Sequence, residues 1–192
     1  MEVAPITFDA SDLEPVCGPH HDSLVIKIQI GWATISSVLV DGGIAVNIVM
    51  LEALQSMGIS EDKIVRKSSM LVGFSGESKH SVGEITLPVY VDGATSLEGF
   101  VVLDCLSTYN VILGRPWIHN NKVMPSTYHQ CVKIPTPWRV TTVRGEQQQA
   151  KECYMTSLKP KYTNQNPAGK DVTPMSQDVP GASTLPQGKT QA

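Results

Sequence analysis

The 192-residue sequence predicts an all-β fold, either a barrel or a sandwich, with one or two short helices. The first observation is a series of short segments in which apolar and polar residues alternate, each bounded by turn-forming residues. The second is that only residues 50–60 show a clear helical spacing of apolar side chains. Many short strands with few helices are typical of closed barrels and packed sheets.

The predicted strands begin with a hairpin. Residues 23–30 alternate, a turn at Gly31-Trp32 follows, and residues 33–40 return along the first strand. Further strands are predicted over 68–74, 84–91, 97–104, 109–114, 128–134 and 138–143. The first two of these flank a polar tip that contains glycine, and the last two are expected to pair across the turn "PTP".

Two helices are predicted between the strands. One face of the helix over 50–60 carries four apolar side chains, Met50, Leu51, Leu54 and Met57. Gly58 follows, where it can take the left-handed conformation that often ends a helix. The second helix is predicted over 115–122, with Pro116 in its first turn, a position that favours proline.

The composition changes near both ends of the sequence. Residues 1–20 contain prolines without clean periodicity and are interpreted as an arm or linker. Residues 158–192 are rich in Pro, Gly, Ser, Thr, Gln and Lys and nearly lack large apolar residues. Such a segment does not bury enough surface to offset its ordering entropy. We therefore predict a folded domain over 21–157 and a disordered tail over 158–192.

Charge and cysteine spacing argue against several classes of function. The formal net charge of −3 gives no strong field that would attract nucleic acid or a membrane surface. The cysteines form no CxxC pair and the histidines have no metal-ligand spacing, so no metal and no other cofactor is expected. We find no apolar leader and no apolar run of the roughly 20 residues that cross a bilayer. These features predict a soluble, intracellular, cytoplasmic protein.

The segment "VLVDGGIAVNIV", residues 38–49, ends a predicted buried strand on an aspartate. Asp41 is followed directly by Gly42 and Gly43. Spacing alone leaves two interpretations open, because an aspartate before glycines can cap a tight turn or can serve as a catalytic acid.

Three segments follow one another along the sequence in a characteristic order. They are Asp41-Gly42-Gly43, a hairpin tip at residues 73–76, and an apolar run that ends at Gly114. This order resembles the retropepsin-like aspartic proteases. The segments "LVGFSGE", "YNVILGRPW", "PSTYHQCVKIPTPW" and "RGEQQQAKECY" are similar to one branch, the protease region of plant gypsy-like LTR retrotransposon gag-pol polyproteins. The resemblance covers about residues 20–155 and implies a closed, retropepsin-like β-barrel.

The resemblance also implies roles for individual residues. Asp41 would be the catalytic acid, and its loop would contain Gly42 and Gly43. The flap over the substrate would contain Gly73, Phe74, Ser75 and Gly76. The apolar segment that crosses behind the loop would contain Ile112, Leu113 and Gly114. The substrate would be an extended peptide or polyprotein, bound much like an added strand.

Peptide hydrolysis of this kind uses two carboxylates that share one proton, so that one activates a water while the other donates to the carbonyl. The segment "VYVDGA", residues 89–94, looks like a second copy, but Asp92-Gly93 is the signature of a two-residue hairpin turn. With Asp41 as the one catalytic aspartate per chain, the enzyme would be a twofold homodimer.

The sequence departs from the family at Gly42, where the family carries Thr or Ser. That hydroxyl braces the two loops across the dimer, and losing such a bond costs about 1 kcal/mol. The leading hypothesis is an aspartic endopeptidase with activity weakened by Gly42. One alternative is a catalytically inactive module that keeps the fold for dimerisation or peptide binding. An unrelated all-β binding domain is a third reading.

Overall fold

The structure is a computed structural model that describes residues 5–73 and 76–158. Its strands are β1 Val25–Ile30, β2 Ala33–Val40, β3 Asn47–Met50, β4 Met70–Val72, β5 Ser78–His80, β6 Gly83–Val91, β7 Ala94–Leu103, β8 Val111–Leu113, β9 Met124–Ser126, β10 Cys131–Pro135 and β11 Val140–Arg144. Its α-helices are α1 Leu51–Ser56, α2 Arg115–Asn120 and α3 Gln147–Ser157. Short 3-10 turns cover Ala10–Leu13 and Glu61–Lys63.

Six strands form a closed barrel in the order β1-β2-β8-β3-β7-β6. Consecutive strands form the antiparallel hairpins β1–β2 and β6–β7, and β6 closes the ring against β1. The alternating apolar residues of these strands point inward, so that Ile26, Val38 and Phe100 are at most 1% exposed. Burial of this apolar face stabilises the barrel.

The short strand β8 lies between β2 and β3, parallel to the first and antiparallel to the second. Its register pairs Val38 with Val111 and Val40 with Leu113. The end of β2 and the end of β8 therefore lie side by side, which brings Asp41 next to Gly114.

Three further strands form a sheet outside the barrel in the order β11-β10-β9. The predicted pairing across "PTP" is confirmed, since β10 and β11 are antiparallel partners. The segment after β11 forms helix α3, which was not predicted from the sequence. Helix α3 has a weak apolar stripe because it buries only Ala150 and Cys153, so periodicity did not reveal it.

The described part of the N-terminal segment contacts the outer sheet. Asp12 is 4% exposed, and its carboxylate lies 2.8 Å from the Lys133 Nζ on β10. The Lys133 ammonium also donates to the Thr7 carbonyl and lies 5.0 Å from the centre of the Phe8 ring. The domain boundaries from the sequence remain a prediction. The predicted tail lies outside the described residues except for Leu158.

Candidate functional site

Asp41 directly follows β2, and its position is fixed by main-chain bonds on both sides. Its amide donates to the Leu113 carbonyl at 3.0 Å, which continues the β2–β8 pairing by one residue. Its carboxylate Oδ1 accepts a hydrogen bond from the Gly43 amide at 2.8 Å. The side chain is half-buried, and within the described residues no cation pairs with it. One carboxylate oxygen is thus held by the main chain while the group still reaches solvent.

The two glycines after Asp41 differ in how much space surrounds them. A Cβ on Gly42 would meet only the Ile118 Cδ1, at 3.9 Å, which is an ordinary van der Waals contact. A Cβ on Gly43 would lie 3.0 Å from the Asp41 Oδ1 and would push against the carboxylate. The fold therefore needs a small residue at 43, whereas within this chain position 42 has room for a side chain.

Gly114 lets two chain segments approach closely behind the Asp41 loop. A Cβ at this position would lie 2.2 Å from the Val46 carbonyl oxygen and 2.8 Å from that of Ile44. Of the two preceding residues, Leu113 is fully buried and Ile112 is half-buried. Two of the segments predicted to form the site, the loop after β2 and the end of β8, thus meet at one crossing, together with the start of β3, which was not predicted.

A buried amide side chain joins these segments, and it was missed from the sequence. Asn47, the first residue of β3, is 1% exposed. Its Oδ1 accepts from the Gly114 amide at 3.0 Å and from the Trp117 amide at 3.4 Å, and its Nδ2 donates to the Gly99 carbonyl at 3.1 Å. A polar residue inside the apolar run "IAVNIVM" was the signal that could have revealed it.

A second missed residue is Arg115, the first residue of α2. Its Nη1 donates to the Gly42 carbonyl at 3.2 Å and to the Gly43 carbonyl at 3.0 Å. The loop that carries Asp41 is thus held through its own carbonyl groups as well as through the Gly43 amide.

The predicted flap is a separate two-stranded hairpin of β4 and β5. The amide of Gly76 donates to the Gly73 carbonyl at 3.0 Å, and Gly76 has a φ of 84°, which favours glycine. Phe74 and Ser75, the other two predicted flap residues, lie outside the described residues. Most side chains of the hairpin are exposed, including Met70 and Val72, whereas Leu71 on the opposite face of β4 is half-buried and packs against the core. One face of β4 is therefore open to solvent in one chain.

The second Asp-Gly pair forms the turn between β6 and β7. Asp92 and Gly93 have φ angles of 47° and 80°, and the flanking residues Val91 and Ala94 are paired. This is the two-residue hairpin turn that the sequence predicted. The Asp92 carboxylate accepts from the Thr141 hydroxyl at 2.5 Å and from Arg139 at 2.9 and 2.8 Å. These hydrogen bonds, first from Thr141 and then from Arg139, lower the pKa of Asp92.

A groove of about 770 Å³ lies on the outer side of the barrel. Val46 and Pro116 line it from the Asp41 side of the molecule, and Trp32 and part of β6 line it elsewhere. Asp41 itself does not line this groove.

No group of three or more potential metal-ligating side chains lies together in residues 5–73 and 76–158. In the same ranges, no helix is both long and apolar enough to cross a membrane.

No family model and no curated protein matches this sequence. Among solved structures, the chain is similar to the crystal structure of the retroviral protease-like domain of Ddi1 from Leishmania major. The TM-score is 0.53 and the sequence identity is 17%, over 66% of this chain and 96% of that chain. At this identity the likeness establishes the fold alone. The closed barrel with few short helices is thus a retropepsin-like fold, as the sequence predicted.

Proposed function

We propose that this chain is an aspartic endopeptidase that acts as a homodimer, with Asp41 from each chain forming the catalytic pair. The observation that carries the proposal is the position of Asp41 at the crossing of β2, β3 and β8. There a half-exposed carboxylate is oriented by the Gly43 amide and lacks a cation among the described residues. A retropepsin-like fold supplies one such loop, and two loops require two chains.

The chemistry follows from two carboxylates held side by side. They cannot both be ionised at close range, so one is protonated and the other is not. The ionised group removes a proton from a water, whose oxygen attacks the peptide carbonyl, while the protonated group gives its proton to the carbonyl oxygen. When this tetrahedral intermediate collapses, the group that took the proton from water gives it to the amide nitrogen and the C–N bond breaks. The other group takes back a proton from the hydroxyl oxygen, which leaves an amine, a carboxylic acid and a pair that again shares one proton. The Gly43 amide would keep each carboxylate in its plane during this exchange.

The substrate we propose is an extended peptide. The hairpin of β4 and β5 is suited to cover such a peptide, because the face of β4 that carries Met70 and Val72 and the side chains of β5 are exposed in the single chain. The plant retrotransposon context rests on the quoted sequence segments, and maturation of a polyprotein in the cytoplasm would follow from it. The structural neighbour is described as a retroviral protease-like domain, which is compatible with proteolysis and with other uses of the fold.

The test is cleavage by the purified chain of a mixed peptide library at mildly acidic pH. Asp41→Asn should reduce cleavage by at least about 1,000-fold, since one member of the acid–base pair is lost. Asp92→Asn is the matched control and should cleave at the wild-type rate. Products identified by mass spectrometry would also give the specificity. Equal cleavage by wild type and Asp41→Asn would exclude the proposal.

A second candidate is a non-catalytic module that dimerises or binds peptide. The observation that favours it is Gly42, which brings no hydroxyl to the loop although the chain has room for one. If the folded, dimeric wild type cleaves no peptide but binds an extended one, this candidate takes the place of the protease.

A further inference from the structure

The loop that carries Asp41 is held by one residue at three consecutive carbonyl groups. The Arg115 Nη1 contacts the Gly42 and Gly43 carbonyls at 3.2 and 3.0 Å, and the Arg115 amide donates to the Ile44 carbonyl at 3.0 Å. The terminal nitrogen of a guanidinium carries two N–H groups, so it can serve both glycine carbonyls at once. No other residue contacts this many loop carbonyls in the part of the chain that the structure describes.

The partner choice of Arg115 is unusual within this molecule. The other three arginines each lie near a carboxylate: Arg66 near Glu61, Arg139 near Asp92 and Arg144 near Asp12. Among the described residues, Arg115 pairs with no carboxylate and donates to main-chain carbonyls instead. A cation on the loop carbonyls forms charge-assisted hydrogen bonds, which are stronger than neutral ones.

The backbone of Arg115 is held in place by its neighbours on both sides. It follows Gly114, whose amide is held by Asn47, and precedes Pro116, which suits the first turn of α2. Trp117, one residue further, is 1% exposed and anchors the helix in the core. The side chain therefore reaches the loop from a rigid element, which is what a positioning residue requires.

We propose that Arg115 is the positioning residue that braces the Asp41 loop from within the same chain. The inference rests on the proposed function and deepens it. Gly42 brings no hydroxyl that could brace this loop against the loop of a partner chain, and within one chain the Arg115 guanidinium supplies side-chain support for it. By fixing the Gly42 and Gly43 carbonyls, Arg115 keeps the Gly43 amide aimed at the Asp41 Oδ1.

The test compares Arg115→Gln and Arg115→Lys with Arg66→Gln in the full chain. Arg66 is an exposed arginine with one distant ion pair of 3.9 Å, so its replacement controls for loss of a surface charge. Hydrogen exchange of the Gly43 and Ile44 amides is measured by NMR. Arg115→Gln should speed this exchange by at least about tenfold, because the loop opens more often. Arg115→Lys, which keeps an ammonium donor, should recover part of the protection.

The kinetic arm uses the same proteins. Arg115→Gln should lower kcat by about 10- to 100-fold with little change in KM, because a misplaced carboxylate slows the chemical step more than binding. Adding Gly42→Thr to Arg115→Gln should restore part of both the exchange protection and kcat.

The two arms separate the brace from the protease. If exchange at Gly43 and Ile44 is the same in wild type, Arg115→Gln and Arg66→Gln, the brace is overturned whatever the activity. If Arg115→Gln loosens the loop but the wild type cleaves no peptide, the brace stands and the proposed function fails. An equal loss of protection across the whole barrel would also overturn the proposal, since it would mean a merely structural role.

Discussion

The two Asp-Gly pairs of this chain have similar sequence contexts but different structural environments. Both follow an apolar strand, as "VLVDGG" and as "VYVDGA". Asp92 lies in a two-residue turn with positive φ, and its carboxylate is saturated by Arg139 and Thr141. Asp41 lies at a strand crossing, and its carboxylate accepts one main-chain hydrogen bond while retaining contact with solvent.

The difference shows that the hydrogen bonding of an Asp-Gly motif depends on residues that are far away in sequence but close in space. At Asp92, Arg139 donates to the carboxylate, so that this oxygen is already occupied by a hydrogen bond within the chain. At Asp41 the nearest arginine, Arg115, approaches the loop carbonyls and leaves the carboxylate available. Among the described residues, β8 crosses behind the Asp41 loop and Gly114 permits this close approach, whereas Asp92 lies in the turn of a simple hairpin.

The largest effect is expected from a substitution that prevents β8 from crossing behind the Asp41 loop. Gly114→Ala would place a Cβ 2.2 Å from the Val46 carbonyl oxygen, and main chain cannot move aside as a side chain does. We expect a loss of about 3 kcal/mol or more in the free energy of unfolding, measured by urea denaturation.

Gly99→Ala is the matched control for that measurement. Gly99 is exposed, and a Cβ there would meet nothing within 4 Å. It should leave the free energy of unfolding unchanged or slightly raised, since alanine has less backbone entropy to lose. Equal stabilities of the two variants would show that close packing at Gly114 is not what holds the crossing.

The next largest effect is expected from the buried amide that links the crossing segments. Asn47→Ala would leave the buried amides of Gly114 and Trp117 without this partner. Buried groups that lose their hydrogen bonds destabilise the fold, here by about 2–3 kcal/mol. Thermal and urea unfolding would measure the loss.

Asn110 offers the exposed counterpart. Its Nδ2 also donates to a main-chain carbonyl, that of Ser36 at 2.9 Å, but water can replace that bond. Asn110→Ala should cost less than about 0.5 kcal/mol. If both asparagine variants lose the same free energy, the burial of Asn47 contributes nothing special to the site.

The sequence was a good guide to what is periodic or local. Alternation predicted most of the barrel strands, and the Asp92-Gly93 turn follows from residues that adopt positive φ readily. The order of Asp41, the flap tip and Gly114 predicted the fold through a resemblance. The sequence did not reveal α3, because most of that helix is polar and exposed. It also did not reveal the short strands β3, β5 and β9.

The supporting residues of the site were hidden for a different reason. Asn47 and Arg115 act on partners that are far away in sequence, Gly114 and the Gly42–Gly43 loop respectively. Neither contact has a local pattern, since an asparagine in a strand or an arginine at the start of a helix is ordinary. Only the three-dimensional crossing gives these residues their role.

The smallest predicted effect concerns Asp92 and is a change in the stability of the fold with pH. The lowered pKa of Asp92 means that folding favours its ionised form, so it stabilises the fold above its unfolded pKa. That contribution is lost as the pH falls below about 4 and through the folded pKa. Asp92→Asn removes the ionisation but keeps a residue that tolerates the positive φ of the turn. The stability difference between wild type and this variant should therefore be constant from pH 7 to pH 5 and shrink at lower pH.

Urea denaturation of both proteins at several pH values measures this difference, and other acidic groups cancel because both proteins contain them. Asp92→Asn should remain folded and cleave peptide as the wild type does, since the carboxylate serves the hairpin and its neighbour strand β11. A difference that does not depend on pH would mean that folding leaves the pKa of Asp92 unchanged, so that Arg139 and Thr141 do not favour the carboxylate over the neutral acid. In that case the contrast between the two aspartates would lie in geometry alone, with Asp41 distinguished by its crossing and not by the freedom of its charge.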